Sequence, residues 1–129
     1  MELEQCTVNT PYLEFDGTVI QAKVVKVIDG DSINIVFRVP DTNHFRQFKC
    51  RLSGIDTPEL RPRLNNPDRE NIIARAQEAK QYLKDLLLNR IVKVKCGKWD
   101  KYGRLLITIY SADQNINELM IKGGYAVPY

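Results

Sequence analysis

Hydrophobic and polar positions alternate in five stretches of the chain, and this alternation predicts five short strands. The predicted strands are residues 19–28, 32–39, 45–55, 90–96 and 105–110. In the second strand, Ile33, Ile35 and Phe37 fall on one face, which we expect to be the core face. In the third, Phe48 and Cys50 share that face and Arg51 points the other way.

Two segments have helical rather than strand spacing. Between the third and fourth strands, apolar residues recur at steps of four and three: Ile72, Ala76, Ala79, Leu83 and Leu86. This spacing predicts an amphipathic helix of about five turns, which Asn66-Pro67 would begin with proline at the first helical position. Residues 115–122 predict a shorter helix, with Asn115 as the N-cap and Gly123-Gly124 as its end.

The resulting order, β-β-β-α-β-β-α, is typical of a five-stranded OB-fold barrel, a mainly β fold of the α+β class. With 129 residues the chain has the length of one domain. We interpret residues 1–18 as an acidic N-terminal leader with turn signals, and residues 19–129 as the domain.

Charge is distributed unevenly along the chain. Residues 1–22 carry four carboxylates and no Lys or Arg, whereas the remaining 107 residues carry 19 cations and 12 carboxylates, a net charge of +7. A basic domain suits a polyanionic partner, although it also suits a solubilising surface. The single histidine, His44, excludes catalysis by a histidine pair.

The cysteines and the hydropathy of the chain indicate in which cellular compartment we expect the protein. Cys6, Cys50 and Cys96 are odd in number, widely spaced and without a CxxC pair, which favours reduced thiols over a disulfide framework or a zinc site. No apolar run is long enough to cross a bilayer, and the acidic, polar N-terminus lacks the features of a signal peptide. We therefore expect an intracellular protein that does not bind membranes, and a monomer.

Four places hold candidate chemistry: the turn Asp29–Ser32, the loop Asp56–Glu59, the strand residue Arg51, and the hairpin loop Asp100–Arg104. Each taken alone is most simply a turn, a cap or a solvated side chain. Together they include carboxylate and carbonyl oxygens, which hard divalent cations prefer, and two arginines, which bind phosphate through a planar fork. This combination fits hydrolysis of a phosphodiester without histidine.

Four stretches carry a resemblance to a known family: VVKVIDGDS (24–32), CRLSGIDTPEL (50–60), KWDKYGRLL (98–106) and NELMIKGGYA (117–126). In order and spacing they closely resemble staphylococcal nuclease and its thermonuclease-like relatives, from about Lys23 to Tyr129. The resemblance implies an OB-fold and a calcium-dependent phosphodiesterase that cuts DNA and RNA with little sequence preference. It also implies that the product keeps a 3′-phosphate and releases a 5′-hydroxyl.

The resemblance further implies a role for each matching residue. Asp31 and Asp56 would bind the metal through carboxylates and Thr57 through its carbonyl, while Glu59 would position or deprotonate the attacking water. Arg51 and Arg104 would bind the phosphate, and Lys101 and Tyr102 would contact the terminal phosphate of the nucleotide. Calcium is implied by the resemblance alone, because the ligand types also permit magnesium or manganese.

Departures from the family pattern and alternative interpretations remain. Ser32 stands where threonine is frequent, the segment 61–71 has no clear counterpart, and the chain ends at Tyr129 where some relatives continue into a helix. Tyr125 and Tyr129 are interpreted as core or capping residues rather than as stacking platforms for a base.

The main alternative to a nuclease is a catalytically inactive module that binds nucleic acid or protein. The presence of both aspartates, the glutamate and both arginines disfavours it.

Two further alternatives are disfavoured by the residues themselves. Pro67-Asp68 followed by Glu78 and Lys80 spells a restriction-enzyme pattern, but Glu78 and Lys80 lie in the predicted helix and point in opposite directions. A plain single-strand binder of the OB type is disfavoured by the paired carboxylates and by the small number of strand aromatics.

Overall fold

The computed structural model describes residues 2–129, so that Met1, the first residue of the predicted leader, lies outside the described residues. After a single 3-10 turn at Leu3–Gln5, the elements follow in this order: β1 (Val19–Asp29), β2 (Ser32–Arg38), β3 (Phe45–Leu52), β4 (Ile55–Asp56), α1 (Arg69–Leu87), β5 (Ile91–Trp99), β6 (Leu105–Ser111), β7 (Gln114–Asn115), α2 (Ile116–Lys122) and β8 (Val127–Pro128).

Five strands form a closed barrel, which confirms the predicted OB-fold of the α+β class. The sheet runs β3-β2-β1-β5-β6 with antiparallel neighbours, and a parallel pairing of β3 with β6 closes it. The short β7 pairs antiparallel with the end of β6, while β4 and β8 pair with each other in a separate two-stranded sheet. None of the helices within residues 2–129 has both the length and the apolar character needed to cross a membrane.

The core lies inside the barrel and beneath α1. Ile33, Ile35 and Phe37 are buried as the alternation predicted, and Cys50 and Leu52 are buried on the matching face of β3. Along α1, the predicted apolar stripe is broadly confirmed: Ala76, Ala79, Leu83 and Leu87 are buried, whereas Ile72 and Leu86 are half-buried.

Three predicted boundaries are wrong by more than one residue. The fourth strand ends at Trp99 rather than at Cys96. The long helix begins at Arg69 rather than at Pro67, because the Asn66 side chain accepts a hydrogen bond from the Asp68 N–H (2.9 Å) and forms a turn of its own. The third strand ends at Leu52 rather than continuing to Ile55, since a turn with Gly54 at φ 77° separates β3 from β4.

The end of the predicted leader contributes to the core. Phe15 is 4% exposed, and its ring centroid lies 5.6 Å from those of Phe37 and Phe48. Trp99 also packs on Phe15, and its indole N–H donates to the Leu13 carbonyl at 2.9 Å. The division of the chain at residue 18 stays a prediction.

Candidate active site

The candidate site lies at one rim of the barrel, where β2 begins and β3 ends. Backbone pairing places Asp29 opposite Ser32 and Ser32 opposite Arg51, so the β1–β2 turn meets the end of β3. The turn is also packed tightly from below: a side chain at Gly30 would come within 2.8 Å of the Ala79 methyl group and 2.9 Å of the Thr57 methyl group. Glycine therefore lets α1, the β1–β2 turn and the Asp56–Glu59 loop approach one another closely.

Two predicted metal ligands and one predicted phosphate ligand come together at this rim. Asp31, whose side chain is 7% exposed, accepts from the Arg51 guanidinium at 2.8 Å and from the Thr57 N–H at 3.2 Å. The other terminal nitrogen of Arg51 lies 3.5 Å from the Asp56 carboxylate and donates to the Ile55 carbonyl at 3.1 Å. Both carboxylates thus share one cation, although 25 residues of chain separate them.

The carboxyl groups of the turn differ in acidity. Burial raises the pKa of Asp29 to about 6, and the neighbouring Asp31 carboxylate adds to the effect. Burial also opposes ionisation of Asp31, but its contact with Asp29 and the charge of Arg51 outweigh burial and hold the Asp31 pKa below the usual value. Near neutral pH the site therefore holds an ionised Asp31 facing a guanidinium.

The donor set fits a hard divalent cation. Asp31 and Asp56 offer carboxylate oxygens that already converge on a positive charge, and the Thr57 backbone is held beside them through its N–H. Oxygen-only donors are what calcium and magnesium prefer. Within residues 2–129, no three His, Cys, Asp or Glu side chains form a metal-binding group, so carbonyl and water oxygens would complete the coordination.

Glu59, the predicted base, is exposed and opens onto a cleft of about 690 Å³. Asp56, Thr57 and Pro58 line one side of this cleft, and α1 and the segment 123–127 line the others. The sequence analysis did not single out Arg75, which is the one cation in the lining. Nothing in the local pattern indicates it, because the cleft arises where α1 meets a segment almost fifty residues later.

The β5–β6 hairpin brings the second arginine to the same rim. Asp100 accepts from the Arg104 backbone N–H at 2.9 Å, from the Tyr102 N–H at 2.8 Å and from the Arg104 guanidinium at 2.8 Å. A terminal nitrogen of Arg104 lies 3.5 Å from the Ser32 hydroxyl, which itself donates to Asp31 at 3.2 Å. This chain of contacts links the hairpin to Asp31 and Asp56, which lie around Arg51 and which we call the aspartate cluster.

Lys101 and Tyr102 lie at the exposed tip of the same hairpin. The Tyr102 ring is flanked by the Lys101 ammonium at 5.2 Å and by the Arg104 guanidinium at 5.6 Å, within cation–π range. Both cations are therefore grouped around one exposed aromatic ring, an arrangement that suits a phosphate with an attached base.

The two C-terminal tyrosines behave differently. Tyr125 is half-buried and stacks on Tyr82 with ring centroids 4.2 Å apart, which confirms a packing role. For Tyr129 the interpretation as a core or capping residue is wrong: it is 85% exposed, and the Arg51 guanidinium lies 5.3 Å from its ring centroid. The short β4–β8 pairing, extended by a hydrogen bond from the Tyr129 N–H to the Gly54 carbonyl at 3.0 Å, brings Tyr129 to Arg51.

Fold and site together define an OB-fold protein whose barrel rim gathers carboxylates and arginines. The family model described as Staphylococcal nuclease homologue matches residues 49–129, and the chain belongs to this family. The match includes every predicted site residue except Asp31, which precedes it.

Curated relatives agree with this assignment. The chain is 34% identical over 127 aligned positions to an uncharacterized protein of Methanocaldococcus jannaschii, covering 83% of this chain and 58% of that protein. It is 33% identical to an uncharacterized endonuclease of Haemophilus influenzae, covering 83% of this chain and 51% of the relative. It is also 33% identical to a thermonuclease of Staphylococcus hyicus, covering 81% and 56% respectively. The chain thus spans between about half and three fifths of the length of these relatives.

Proposed function

We propose that the chain is a divalent-cation-dependent endonuclease that hydrolyses DNA, RNA or both with little sequence preference. The observation that carries this proposal is the convergence of Asp31, Asp56, Arg51 and Arg104 on one barrel rim. The relatives include a thermonuclease and an uncharacterized endonuclease, which supports the same reaction class.

Asp31 and Asp56, with the Thr57 carbonyl, would hold the cation, with calcium preferred over magnesium or manganese. When bound, such a cation supplies positive charge beside the scissile phosphate. Arg51 and Arg104 bind phosphate oxygens and stabilise the negative charge that grows on them as the phosphorus becomes five-coordinate. Lys101 and Tyr102 hold the terminal phosphate of the nucleotide.

Glu59 positions the attacking water and accepts its proton. Glu59 is exposed and lines the cleft together with Asp56, so that a water and a substrate strand can reach it. The new P–O bond forms from that water, the bond from phosphorus to the 5′-oxygen breaks, and the 5′-oxygen takes up a proton. The products are a 5′-hydroxyl and a 3′-phosphate.

The test is a gel assay of single-stranded DNA and RNA with wild type, Glu59→Gln and Arg104→Ala, each with calcium or excess chelator. We expect calcium-dependent cutting by wild type and a loss of turnover of at least ~10²-fold in both variants, the scale for losing one partner of the transition state. Circular dichroism should show an unchanged fold. Activity retained in both variants would show that Glu59 and Arg104 do not have the catalytic roles assigned to them.

The same assay separates the enzyme from an inactive binding module. A folded wild type that shifts DNA in a gel but cuts neither nucleic acid with calcium, magnesium or manganese would favour the binding module. Mapping the ends of the fragments tests the products, since a 3′-phosphate blocks extension by a polymerase until a phosphatase removes it.

A further inference from the structure

The outer face of β1, β2 and β3 begins at the candidate active site and leads away from it. Backbone pairing arranges this face in rows across the three strands. The row at the rim contains Asp29, Ser32 and Arg51, and the next row contains Lys26, Asn34 and Lys49. Both lysines of that second row are exposed. Lys49 is therefore two residues from the predicted phosphate ligand Arg51 on β3, and Lys26 lies in the same row on β1.

Two more rows continue the same face. Lys23, Val36 and Gln47 form the third row, and Arg38 pairs with Phe45 in the fourth. Since alternate residues of a strand share a face, Phe45 lies on the same side as Arg51, about 20 Å further along β3. Phe45 is 65% exposed, although it is a large aromatic residue within a strand.

Beyond the rim row, which includes Asp29, the charge of this face is of one sign. Lys23, Lys26, Arg38 and Lys49 are exposed and, among the described residues of the second to fourth rows, no carboxylate faces them. We call these four cations and Phe45 the cationic face. A surface built only for solubility mixes both signs, whereas a face with one sign and an exposed aromatic suits a phosphate chain with stacked bases.

We propose that the cationic face binds the single-stranded part of the substrate that flanks the scissile phosphate, with phosphates at Lys26 and Lys49 and one base stacked on Phe45. This inference rests on the proposed function for the cleaved phosphate, which the strand would reach at Arg51. A single strand is specified because a base can stack on Phe45 only when it is unpaired. The face of strands 2 and 3 is also where OB-folds bind oligonucleotides.

The first test measures binding without cleavage, in a Glu59→Gln background with calcium. The probe is a fluorescein-labelled 20-nucleotide oligothymidylate, followed by anisotropy from 50 to 200 mM salt. Lys26→Ala with Lys49→Ala should reduce the slope of log K against log salt by about 1.4, since each lost phosphate contact on a single strand removes about 0.7. The matched control is Lys84→Ala with Lys122→Ala, which removes two exposed helix lysines and should leave the slope unchanged.

The second test isolates stacking. Phe45→Ala should weaken binding of the oligothymidylate by about 5- to 100-fold with an unchanged salt slope, because it removes stacking but no charge. A 20-base-pair duplex should not respond to this substitution. An equal loss on duplex and single strand would overturn the single-strand assignment.

Cleavage separates failure of this inference from failure of the proposed function. In an active enzyme, the ratio of kcat/KM for the 20-mer to kcat/KM for a dinucleotide should fall about 10-fold in the double lysine variant and not in the control. The cationic face alone would be overturned if the double lysine variant cut normally and kept the wild-type salt slope. An equal change in the control variant would overturn it as well. If wild type cuts nothing, the proposed function fails and the anisotropy slopes still decide the face.

Discussion

At the scale of single residues, Arg51 neutralises a carboxylate that is almost fully buried. Its guanidinium is 2.8 Å from Asp31, whose side chain is 7% exposed. Removing one partner of a buried ion pair leaves the other charge unpaired, which costs about 3–5 kcal/mol. Arg51→Ala should therefore destabilise the metal-free protein by about that amount, measured by urea unfolding in chelator.

Calcium provides the internal control for this prediction. If Asp31 and Asp56 hold the cation, calcium should recover much of the stability lost in Arg51→Ala, because it restores a positive charge between them. Arg46→Ala, which removes an exposed arginine of the same strand, should change stability by no more than ~0.5 kcal/mol. An unfolding midpoint of Arg51→Ala equal to that of wild type in chelator would show that the ion pair contributes nothing.

The sequence predicted the orientation of Arg51 but not its partners. Alternation along β3 places Arg51 opposite to Phe48 and Cys50, and this is confirmed. Its contacts with Asp31 and Asp56 depend on the register of β2 against β3 and on the turn after Leu52. Register and turn are set by tertiary packing, so only the family resemblance indicated that these residues meet.

At the scale of elements, the β5–β6 hairpin depends on one carboxylate. Burial alone would raise the pKa of Asp100, but hydrogen bonds from the N–H groups of Arg104 and Tyr102, and then the Arg104 guanidinium, outweigh it and hold the pKa below 3.8. A depressed pKa means that the carboxylate stabilises the fold above the unfolded value and stops doing so as pH falls through the folded value.

Asp100→Asn should therefore lower stability by about 1–2 kcal/mol at pH 7, and this difference from wild type should shrink as pH falls below 4. Arg104 would also be held less firmly, so we expect kcat/KM to fall roughly 10-fold. Urea unfolding between pH 7 and pH 2 provides the measurement. Asp113→Asn, in an exposed turn, is the matched control. A difference that stays constant down to pH 2 would contradict a role for the ionised Asp100.

Elements were predicted well where one residue pattern decides them, and less well where a side chain competes with the pattern. Asn115 caps α2 as expected, accepting from the Glu118 N–H at 3.1 Å. Asn66 instead forms its own turn and delays the start of α1 to Arg69. Both asparagines are plausible helix caps in the sequence. Only the surrounding chain decides whether the amide oxygen serves the helix or the turn before it.

At the scale of the whole molecule, the two ends of the barrel differ: one holds the candidate site, and packed aromatic rings lie near the other. The site lies at the end marked by Ser32 and Arg51. Phe37, five residues further along β2 and therefore about 17 Å away, stacks on Phe48 at 4.4 Å near the other end. Phe15 packs on Phe37, although it belongs to the segment that its acidic residues and turn signals assigned to a leader.

Separation of the two ends predicts separable effects on stability and catalysis. Phe15→Ala removes a fully buried ring and should cost about 3–5 kcal/mol. The kcat of the folded fraction should change less than twofold, because the ring of Phe15 contacts Phe37, Phe48 and Trp99 and none of the predicted site residues. Arg104→Ala should show the reverse pattern: turnover is lost, while stability falls by only about 1 kcal/mol, because Asp100 keeps its two hydrogen bonds from backbone N–H groups.

Phe15→Leu keeps the prediction testable if the alanine variant does not fold, since it retains most of the apolar volume and should lie between wild type and alanine in stability. Urea unfolding and calcium-dependent cutting of one oligonucleotide, measured on the same preparations, give both quantities. If the kcat of Phe15→Leu fell in parallel with its stability, the two ends of the barrel would be coupled. The rim could then not be treated as a site held in place by β2, β3 and the β5–β6 hairpin alone.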